Sequence, residues 1–371
     1  LHKMEIVKIF NIITSGLRRE GITSTQLEFV KHLDRNRFAV TMAAVHNNDA
    51  ETVKAFERMG CRIAVLPERR ERTDKYFWAL VRELKAEKPD IVHIHGSSAV
   101  MTMELLAAKI AGVKSRIVHS RNTKADQALA DKLLRPLFYC LYTDALACGE
   151  DAGKWLFGNR PFTVIHNGKD FTQFTYNPEL RERMRGREQL EGRIVVGHVG
   201  RFGYQKNHEF LLRVFAECLK KHDNAVLYLM GEGRLKEAEE KHARALGVEQ
   251  NVRFVGTVTN VAERLQGMDI MVFPSRFEGL PNVVLEWQAE GLPCLISDAI
   301  TKECAPSDLV EFASIEDDPQ IWAEKMELML CRFTDREGQA KRGTQALKEN
   351  GFDIADAAKQ LEKIYLKLAE R

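Results

Sequence analysis

The chain has 371 residues, of which 44% are hydrophobic and 29% charged, so it is ordinary in composition and long enough for two globular domains. Its formal net charge of +2 is nearly neutral, and we expect no nucleic-acid partner. The seven cysteines form no Cys-x-x-Cys pair, and no apolar run approaches the roughly 20 residues of a membrane span. These features argue against a disulfide or zinc framework and against a membrane-spanning helix, and they favour a cytoplasmic protein.

In the first half of the chain, short β-branched runs alternate with amphipathic stretches. This alternation predicts repeated βα units, and therefore a parallel sheet with helices on both faces. The predicted strands are 5–13, 38–45, 62–66, 91–95, 116–119, 145–148 and 163–165. The predicted helices are 23–33, 50–59, 75–87, 99–111 and 125–142. The last of these contains Pro136, where we expect an interruption or a kink.

An Asn167-Gly168 turn ends this series, and a polar, arginine-rich stretch follows it. We therefore predict a first domain over 1–170 and a linker with a short helix over 171–192. A second βα series then predicts another domain over 193–352. Its predicted strands are 194–199, 226–230, 252–255, 270–273, 293–297 and 310–312. The predicted helices are 209–221, 235–246, 261–266, 281–289, 320–331, 336–349 and 354–370.

The stretch from Phe273 to Glu286 has the strongest functional pattern. An apolar strand leads into a Pro/Ser/Gly loop, and Pro281 opens a helix, where its missing N–H costs nothing. Glu278 lies in the loop and Glu286 lies inside the helix. An anionic ligand at the helix start would meet free N–H groups, whereas Glu286 is better placed for a neutral hydroxyl. The simpler interpretation is a capping and a solvating glutamate.

The order Pro-Ser-x-x-Glu-Gly-x-Pro-x-x-x-x-Glu, ending at Glu286, resembles the glutamate pair of retaining GT-B glycosyltransferases. More narrowly, it resembles the family 4-like bacterial group that builds capsules and exopolysaccharides. The resemblance implies an α/β fold of two doubly wound, Rossmann-like domains that face an interdomain cleft. It also implies that the last helix, about 353–371, packs back on the first domain, which would be the acceptor side.

The resemblance further implies a site for a nucleoside diphosphate sugar in the second domain. Arg201 and Lys206 follow a strand and would neutralise the diphosphate, Arg201 as a planar fork and Lys206 as a point charge. Gly231, in an incomplete Gly-x-Gly, would be a wall of the site, although a plain strand-to-helix turn explains it nearly as well. The donor-binding residues expected in this domain are Gly200, Arg201, Lys206, Gly231, Glu278, Gly279, Leu280, Asn282, Val283 and Glu286.

Three further candidates lie in the first domain. His119 ends a strand and resembles the family histidine that contacts the donor sugar, and His95 ends the neighbouring strand. Gly16 follows the first strand, where the family carries a glycine-rich loop, although the match is loose. A zinc site from His93, His95 and His119 is not expected, because no acidic or cysteine ligand has suitable spacing.

We expect catalysis to depend on Glu278, His119, Arg201 and Lys206, with no protein nucleophile, since the family is thought to attack from the face that the diphosphate leaves. No Asp-x-Asp motif ends a strand, so we expect neither a metal nor another cofactor. Cations and helix dipoles would then stabilise the departing diphosphate.

The expected activity is transfer of a sugar, UDP-linked by preference, to a glycan or lipid-linked acceptor in polysaccharide biosynthesis. Basic clusters at 31–37 and 69–72, with the apolar stretch 133–142, suggest peripheral contact with the inner face of a membrane. For each stretch taken alone, solvated surface or ordinary core is the better explanation. A sugar-nucleotide 2-epimerase and a non-catalytic nucleotide-sugar binder are the alternatives to a transferase.

Overall fold

The computed structural model describes residues 6–18, 21–45, 48–122 and 127–371. The chain divides into two compact units. The first comprises Leu1–Asp170 and Gly351–Arg371, and the second comprises Phe171–Asn350. Each unit is built on one parallel β-sheet with helices packed against it.

The strands of the first unit are β1 (Val7–Ile13), β2 (Phe38–Ala44), β3 (Arg62–Val65), β4 (Ile91–Gly96), β5 (Ser115–Ser120), β6 (Asp144–Ala147) and β7 (Thr163–Val164). Its helices are α1 (Gly21–His32), α2 (Ala50–Arg58), α3 (Thr73–Glu87), α4 (Thr102–Ile110), α5 (Ala128–Leu141), α6 (Glu150–Phe157) and the final helix α14 (Ile354–Ala369).

The first sheet has the order β3-β2-β1-β4-β5-β6-β7, so the strand order reverses at β1. Side chains alternate along each strand and so supply two cores. In β1, Phe10 and Ile12 pack with α3, α4 and α5 on one face. Ile9 and Ile13 pack with α1 and α14 on the other face. The sheet is therefore covered on both sides, which is why its strands are nearly continuous apolar runs.

The final helix α14 completes the second of these cores. Asp353 caps its start by accepting hydrogen bonds from the Ala355 and Asp356 N–H groups. Tyr365 is fully buried against Phe38, with ring centroids 5.9 Å apart. Near the end of the helix, the Ser115 hydroxyl donates to the Leu368 carbonyl at 3.1 Å. These contacts fix α14 to the same unit as β1 and β4.

The strands of the second unit are β8 (Val195–Val199), β9 (Val226–Met230), β10 (Val252–Gly256), β11 (Ile270–Phe273), β12 (Cys294–Ser297) and β13 (Val310–Ala313). Its helices are α7 (Pro178–Arg187), α8 (His208–Leu219), α9 (Lys236–Ala245), α10 (Val261–Leu265), α11 (Asn282–Ala289), α12 (Pro319–Arg332) and α13 (Arg336–Glu349).

The second sheet has the order β10-β9-β8-β11-β12-β13 and reverses at β8. Helix α7 lies within 171–192, which the sequence predicts as linker with a short helix. The helix belongs to the second unit, because Arg181 and Arg185 pair with Asp269 at 2.5 and 3.1 Å. Asp269 also accepts from the Val195 N–H at 2.8 Å, so the start of the sheet and α7 share one carboxylate.

Most predicted elements are confirmed to within a few residues. The strand predicted from 5 and the helix predicted from 125 both begin on residues outside the described ranges. Helix α6 was not predicted, since it is short and contains Gly153, whose missing side chain leaves room for the Phe162 ring. Helix α5 continues through Pro136, so of the predicted interruption or kink the interruption is not found.

The predictions about cysteines and membrane spans can also be compared with the structure. All seven cysteines are free thiols, and five of them are buried. Among the described residues, no helix combines the length and the apolar character needed to cross a bilayer.

Gly343 tests how α13 supports α11, the helix that carries Glu286. A Cβ added at Gly343 would overlap the Gln288 carbonyl oxygen of α11. We expect Gly343→Ala to lower the free energy of unfolding by about 1–3 kcal/mol in chemical denaturation. Gly186→Ala in α7 is the matched control, because its Cβ would meet only the Glu191 carboxylate. The control should be neutral or gain up to about 1 kcal/mol. Equal effects would contradict close packing of α13 on α11.

Candidate active site

The loops after β8 and β11 lie at one edge of the second sheet, since these two parallel strands are neighbours. We call them the β8 loop (residues 200–207) and the β11 loop (residues 274–281). The order of the sheet reverses at β8, so this edge is the switch point of a doubly wound sheet. Ligands of such sheets bind outside the strand ends at that point. The two loops are therefore the walls of the candidate site.

Arg276 joins the two loops. Its Nη1 donates to the Tyr204 carbonyl at 2.6 Å, and its backbone N–H donates to the Gln205 carbonyl at 2.8 Å. The guanidinium also lies 4.3 Å from the centroid of the Tyr204 ring, a cation–π distance. Gln205 completes the connection by donating from Nε2 to the Phe277 carbonyl at 3.0 Å. Sequence reasoning missed Arg276, because its partner Tyr204 lies 72 residues earlier in the chain.

Lys206 and Glu278 form an ion pair between the two loops. Lys206 Nζ lies 2.6 Å from Glu278 Oε1, and both side chains are largely buried. The ammonium group also lies 4.4 Å from the centroid of the Phe273 ring at the end of β11. The sequence predicts both residues to bind the donor. The structure brings them into direct contact, with the cation in a partly dehydrated position where its charge is weakly screened.

The glycines of this edge allow close approach of two backbone segments. A Cβ on Gly231, whose φ is 152°, would overlap the Gly200 carbonyl oxygen. A Cβ on Gly233 would overlap the backbone of Phe202. Gly200 faces the Lys206 side chain, so a Cβ there would lie 3.1 Å from its methylenes. Packing of the β9 turn on the β8 loop therefore accounts for Gly231, as the simpler interpretation of the Gly-x-Gly allowed.

Two buried histidines lie behind the β8 loop. His198 Nδ1 donates to the Val272 carbonyl at 2.8 Å, and burial with nearby Lys206 lowers its pKa to about 4. His208 stacks on the Phe202 ring at a centroid distance of 4.0 Å. Burial, His198 and Lys206 lower the pKa of His208 to about 2. Both rings are therefore neutral at physiological pH and add no charge behind the Lys206 cation.

Helix α11 leads away from the β11 loop and carries Glu286 on a buried turn. Pro281 takes the N-cap position, so the helix begins at Asn282, one residue later than predicted. Glu290 follows one turn after Glu286 and contacts Arg336, with 3.5 Å between the charged groups. Burial, reinforced by Glu286, raises the pKa of Glu290 to about 8 although Arg336 opposes it. Burial thus favours the protonated form of the Glu290 carboxyl group.

The other predicted donor-site residues lie in the same two segments. Arg201 is exposed in the β8 loop, and Gly279 is exposed in the β11 loop. Leu280, Asn282 and Val283 are half-buried where that loop enters α11. These positions belong to the switch-point edge, whereas Gly16, His95 and His119 belong to the first unit.

In the first unit, three histidines meet at the carboxyl ends of β4 and β5. His95 lies opposite His119 in the strand register, and His93 lies two residues before His95. His93 Nε2 is 3.2 Å from His119 Nδ1, and His93 Nδ1 is 2.7 Å from the Tyr365 hydroxyl. All three rings are fully buried. Gly16 turns the chain just after β1 with a φ of 87°, and the nearby Thr14 N–H donates to the His95 carbonyl at 3.1 Å.

A buried arginine completes this cluster. Arg121 donates to His95 Nδ1 from Nη2 at 3.1 Å, and from Nη1 to Asn167 Oδ1 at 2.6 Å. His95 Nε2 lies 3.1 Å from Asn11 Oδ1, so His95 is the neutral Nε2–H tautomer. Burial and the Arg121 charge hold the pKa of each histidine well below its usual range. Sequence reasoning missed Arg121, whose partners come from strand β4 and from the turn at Asn167.

The three histidines also raise the question of a metal. One ring nitrogen from each of His93, His95 and His119 lies within 4.8 Å of the others, which spacing along the chain does not reveal. However, both nitrogens of His93 and of His95 already make hydrogen bonds. The Arg121 guanidinium adds a positive charge next to His95, so a divalent cation would have to displace it. The geometry therefore favours a hydrogen-bonded cluster.

Comparison with known proteins agrees with this architecture. A family model described as Glycosyltransferase Family 4 matches residues 19–173, and one described as Glycosyl transferases group 1 matches residues 193–332. EpsF of Bacillus subtilis (strain 168), provisionally named a glycosyltransferase, is 30% identical over 369 residues, 95% of each chain. CapH of Staphylococcus aureus, a capsular polysaccharide biosynthesis glycosyltransferase, is 25% identical over 97% of this chain and 99% of its own.

A third relative and a solved structure extend the comparison. The UDP-Gal:alpha-D-GlcNAc-diphosphoundecaprenol alpha-1,3-galactosyltransferase of Escherichia coli is 25% identical over 78% of each chain. Anabaena HepE, solved with UDP, superposes with a TM-score of 0.82 at 17% identity, covering 97% of this chain and 100% of its own. The fold is therefore that of the two-sheet GT-B glycosyltransferases. The chain belongs to the family 4 and group 1 glycosyltransferases, and it is an enzyme of that class.

His208 allows a test of the electrostatics behind the β8 loop. Its folded pKa, about 2, lies below the ordinary 6.5, so its contribution to stability is complete above pH 6.5 and is lost as the pH falls. Between pH 7 and pH 5 this loss is about 2 kcal/mol. We expect His208→Phe, which keeps the stacking on Phe202, to remove about that much of the pH dependence in urea unfolding. Identical pH dependence in both proteins would contradict a buried neutral His208.

Proposed function

We propose that the protein is a retaining glycosyltransferase that moves a sugar from a UDP-sugar to a lipid-linked glycan in polysaccharide biosynthesis. The observation that carries the proposal is the Lys206–Glu278 ion pair at the switch-point edge of the second sheet. The names of two relatives support it, since one refers to capsular polysaccharide and the other to a UDP-sugar and a diphosphate lipid. HepE has been solved with UDP and with UDP-glucose.

In this proposal the β8 loop binds the diphosphate. An ammonium group has three hydrogen-bond donors. Lys206 can therefore donate to phosphate oxygens while it remains paired with Glu278. Arg201, exposed in the same loop, adds a second cation. Negative charge grows on the bridging oxygen as the bond to the sugar breaks. The two cations would therefore stabilise the transition state more than the bound donor, without a metal or another cofactor.

The acidic residues would then bind hydroxyl groups. Glu278 would accept hydrogen bonds from the donor sugar, next to the diphosphate that Lys206 holds. Glu286, buried on α11, would accept from the ribose hydroxyls. Gly279, Leu280, Asn282 and Val283 would contact the donor where the β11 loop meets the helix. A carboxylate hydrogen bond to a buried hydroxyl contributes about 1.5–3 kcal/mol, which is enough to orient the sugar.

The reaction would proceed without a covalent enzyme intermediate. The acceptor hydroxyl would attack the anomeric carbon from the face that the diphosphate leaves. The bond from that carbon to the phosphate oxygen would break, and UDP would leave with the electron pair. The departing diphosphate would take the proton of the acceptor hydroxyl, so no protein nucleophile is assigned.

We infer that the first unit contributes through His119, His95 and Gly16. His119 is the candidate for a hydrogen bond to the donor sugar, and its low pKa keeps the ring neutral for that contact. His95 donates to Asn11 and accepts from Arg121, and these hydrogen bonds would hold the cluster in one orientation. A lipid-linked acceptor would place the enzyme at the cytoplasmic, inner face of a membrane as a peripheral protein.

The alternatives are separated by product analysis. A sugar-nucleotide 2-epimerase would convert the donor in the absence of an acceptor. A non-catalytic binder would bind the donor tightly and transfer nothing to any acceptor offered. The glutamate pair, together with the pattern of Arg201 and Lys206, favours transfer.

Lys206 gives the kinetic test. We expect Lys206→Met to lower kcat by about 10²–10³-fold, because it removes one charge that stabilises the departing diphosphate. Turnover should be measured with a UDP-sugar identified by thermal shift in a panel of UDP-, GDP- and ADP-sugars. Lys220→Met is the control, since Lys220 pairs with Glu217 on the exposed surface. An unchanged kcat in Lys206→Met would overturn the assignment.

Glu286 gives the binding test. We expect Glu286→Ala to raise the Kd for UDP by about 10- to 100-fold, because a charged acceptor for the ribose hydroxyls is lost. Calorimetric titration of UDP measures the change. Glu324→Ala, on the far helix α12, is the matched control and should leave the Kd unchanged. Equal Kd values in wild type and Glu286→Ala would remove Glu286 from the site.

A further inference from the structure

The helices that cover one face of the first sheet expose several large apolar side chains. Helices α3, α4 and α5 pack side by side on one face of the first sheet, with α4 between the other two. The exposed apolar residues of this layer are Trp78, Ile110, Leu129, Leu133 and Leu137. The remaining described residues of the unit expose Ile6, Val65 and, on the adjoining α6, Trp155. An exposed apolar patch of this kind marks an interaction surface.

The outer face of α5 is a leucine stripe. Leu129, Leu133 and Leu137 are spaced four residues apart, so they lie along one side of the helix. They are 74%, 71% and 47% exposed. Another side of α5 packs on the hydrophobic core of the unit, where Phe138 and Leu141 are buried. The stripe therefore contributes nothing to the packing of the unit, and its exposure needs another explanation.

Trp78 on α3 lies within a basic face. Trp78 is 64% exposed, and Lys75 and Arg82 flank it at three and four residues' distance, on the same side of the helix. Within α3, α4 and α5, which are all fully described, the exposed basic residues are Lys75, Arg82, Lys85, Lys109 and Lys132. The exposed acidic residue of these three helices is Asp74. The exposed charges of the helices that carry the apolar patch are thus mostly positive.

These charges select between two kinds of partner. A second copy of the chain, docked through the same face, would bring like charges together around the leucines. An anionic bilayer would attract the lysines and arginine, while leucine and tryptophan side chains enter the boundary between headgroups and acyl chains. Lysine and arginine stems can also lie along apolar surface with their charged ends at the headgroups.

We propose that the α3–α5 face docks on an anionic lipid bilayer. Leu129, Leu133 and Leu137 enter the membrane interface, with Trp78 beside them, and the surrounding basic residues bind headgroup phosphates. This rests on the proposed function in one respect, because a lipid-linked acceptor brings the reaction to a membrane. Of the stretches that the sequence suggested, 133–142 contributes Leu133 and Leu137 to this face. Arg69 of the 69–72 cluster does not contribute, because it is buried in a salt bridge with Glu104. The 31–37 cluster follows α1, on the other side of the sheet.

Vesicle flotation of the full chain tests the proposal. The vesicles contain phosphatidylglycerol and phosphatidylethanolamine, and vesicles of phosphatidylcholine alone provide the neutral comparison. We expect Leu129→Ser/Leu133→Ser/Leu137→Ser to lower the partition coefficient at least about tenfold, since full burial of one leucine side chain already corresponds to that factor. Ile321→Ser/Leu328→Ser on α12 is the matched control, because those side chains are 40% and 70% exposed in the second unit.

The charged residues are tested separately. Lys75→Gln/Arg82→Gln/Lys132→Gln should weaken binding to the anionic vesicles, and added salt should weaken wild-type binding. Circular dichroism and urea unfolding show that each variant is folded.

Three results would overturn the proposal. The wild type could fail to float with anionic vesicles, the leucine variant could bind as well as the wild type, or light scattering could show a wild-type dimer that the leucine variant abolishes. The last result would assign the face to a second copy of the chain. Flotation needs neither donor nor acceptor, so its outcome is independent of whether the proposed sugar transfer is observed.

Discussion

The ion pair between Lys206 and Glu278 is the interaction on which the candidate site of the second unit depends. It joins two loops that are 72 residues apart in the chain and adjacent only because β8 and β11 are neighbouring strands. A cation and a carboxylate that are both largely buried are costly to separate, since each would be left without its partner. Arg276 adds hydrogen bonds from the β11 loop to the carbonyl groups of the β8 loop. The site is therefore held in a defined geometry before any ligand binds.

The surroundings of this pair keep its charges effective. His198 and His208 are neutral behind the β8 loop. They therefore neither repel the Lys206 cation nor add a second positive charge that would attract a bound anion away from it. Packing of α13 on α11 holds the helix that carries Glu286. At the strand ends of the first unit, the neutral His95 ring likewise accepts a hydrogen bond from the Arg121 guanidinium. In both units, burial determines the protonation state and hydrogen bonds determine the orientation.

The local hydrophobic pattern was enough to predict most helices and strands, because apolar strands and amphipathic helices can each be identified from a short window of sequence. Helix α6 was missed because Gly153 lowers helix propensity. The reason for a glycine at this position is that the Phe162 ring packs against it, which the local sequence does not show. The pattern around Glu278 indicated the chemistry of the site. It could not indicate Arg276, His208 or Arg121, whose contacts come from distant segments. Local sequence also could not separate surface cations from buried ones, as Arg69 demonstrates by its pairing with Glu104.

The central claim is that Lys206 holds the diphosphate while Glu278 holds the sugar of one donor. Calorimetric titration of UDP and of the matching UDP-sugar into Glu278→Gln tests it most directly, with Lys206→Met as the companion variant. Loss of the Glu278 charge should leave UDP binding equal or tighter, because the carboxylate no longer competes for Lys206, and should weaken UDP-sugar binding relative to UDP. Lys206→Met should weaken both ligands. An unchanged preference between the two ligands in Glu278→Gln, or unaltered UDP binding in Lys206→Met, would contradict the account.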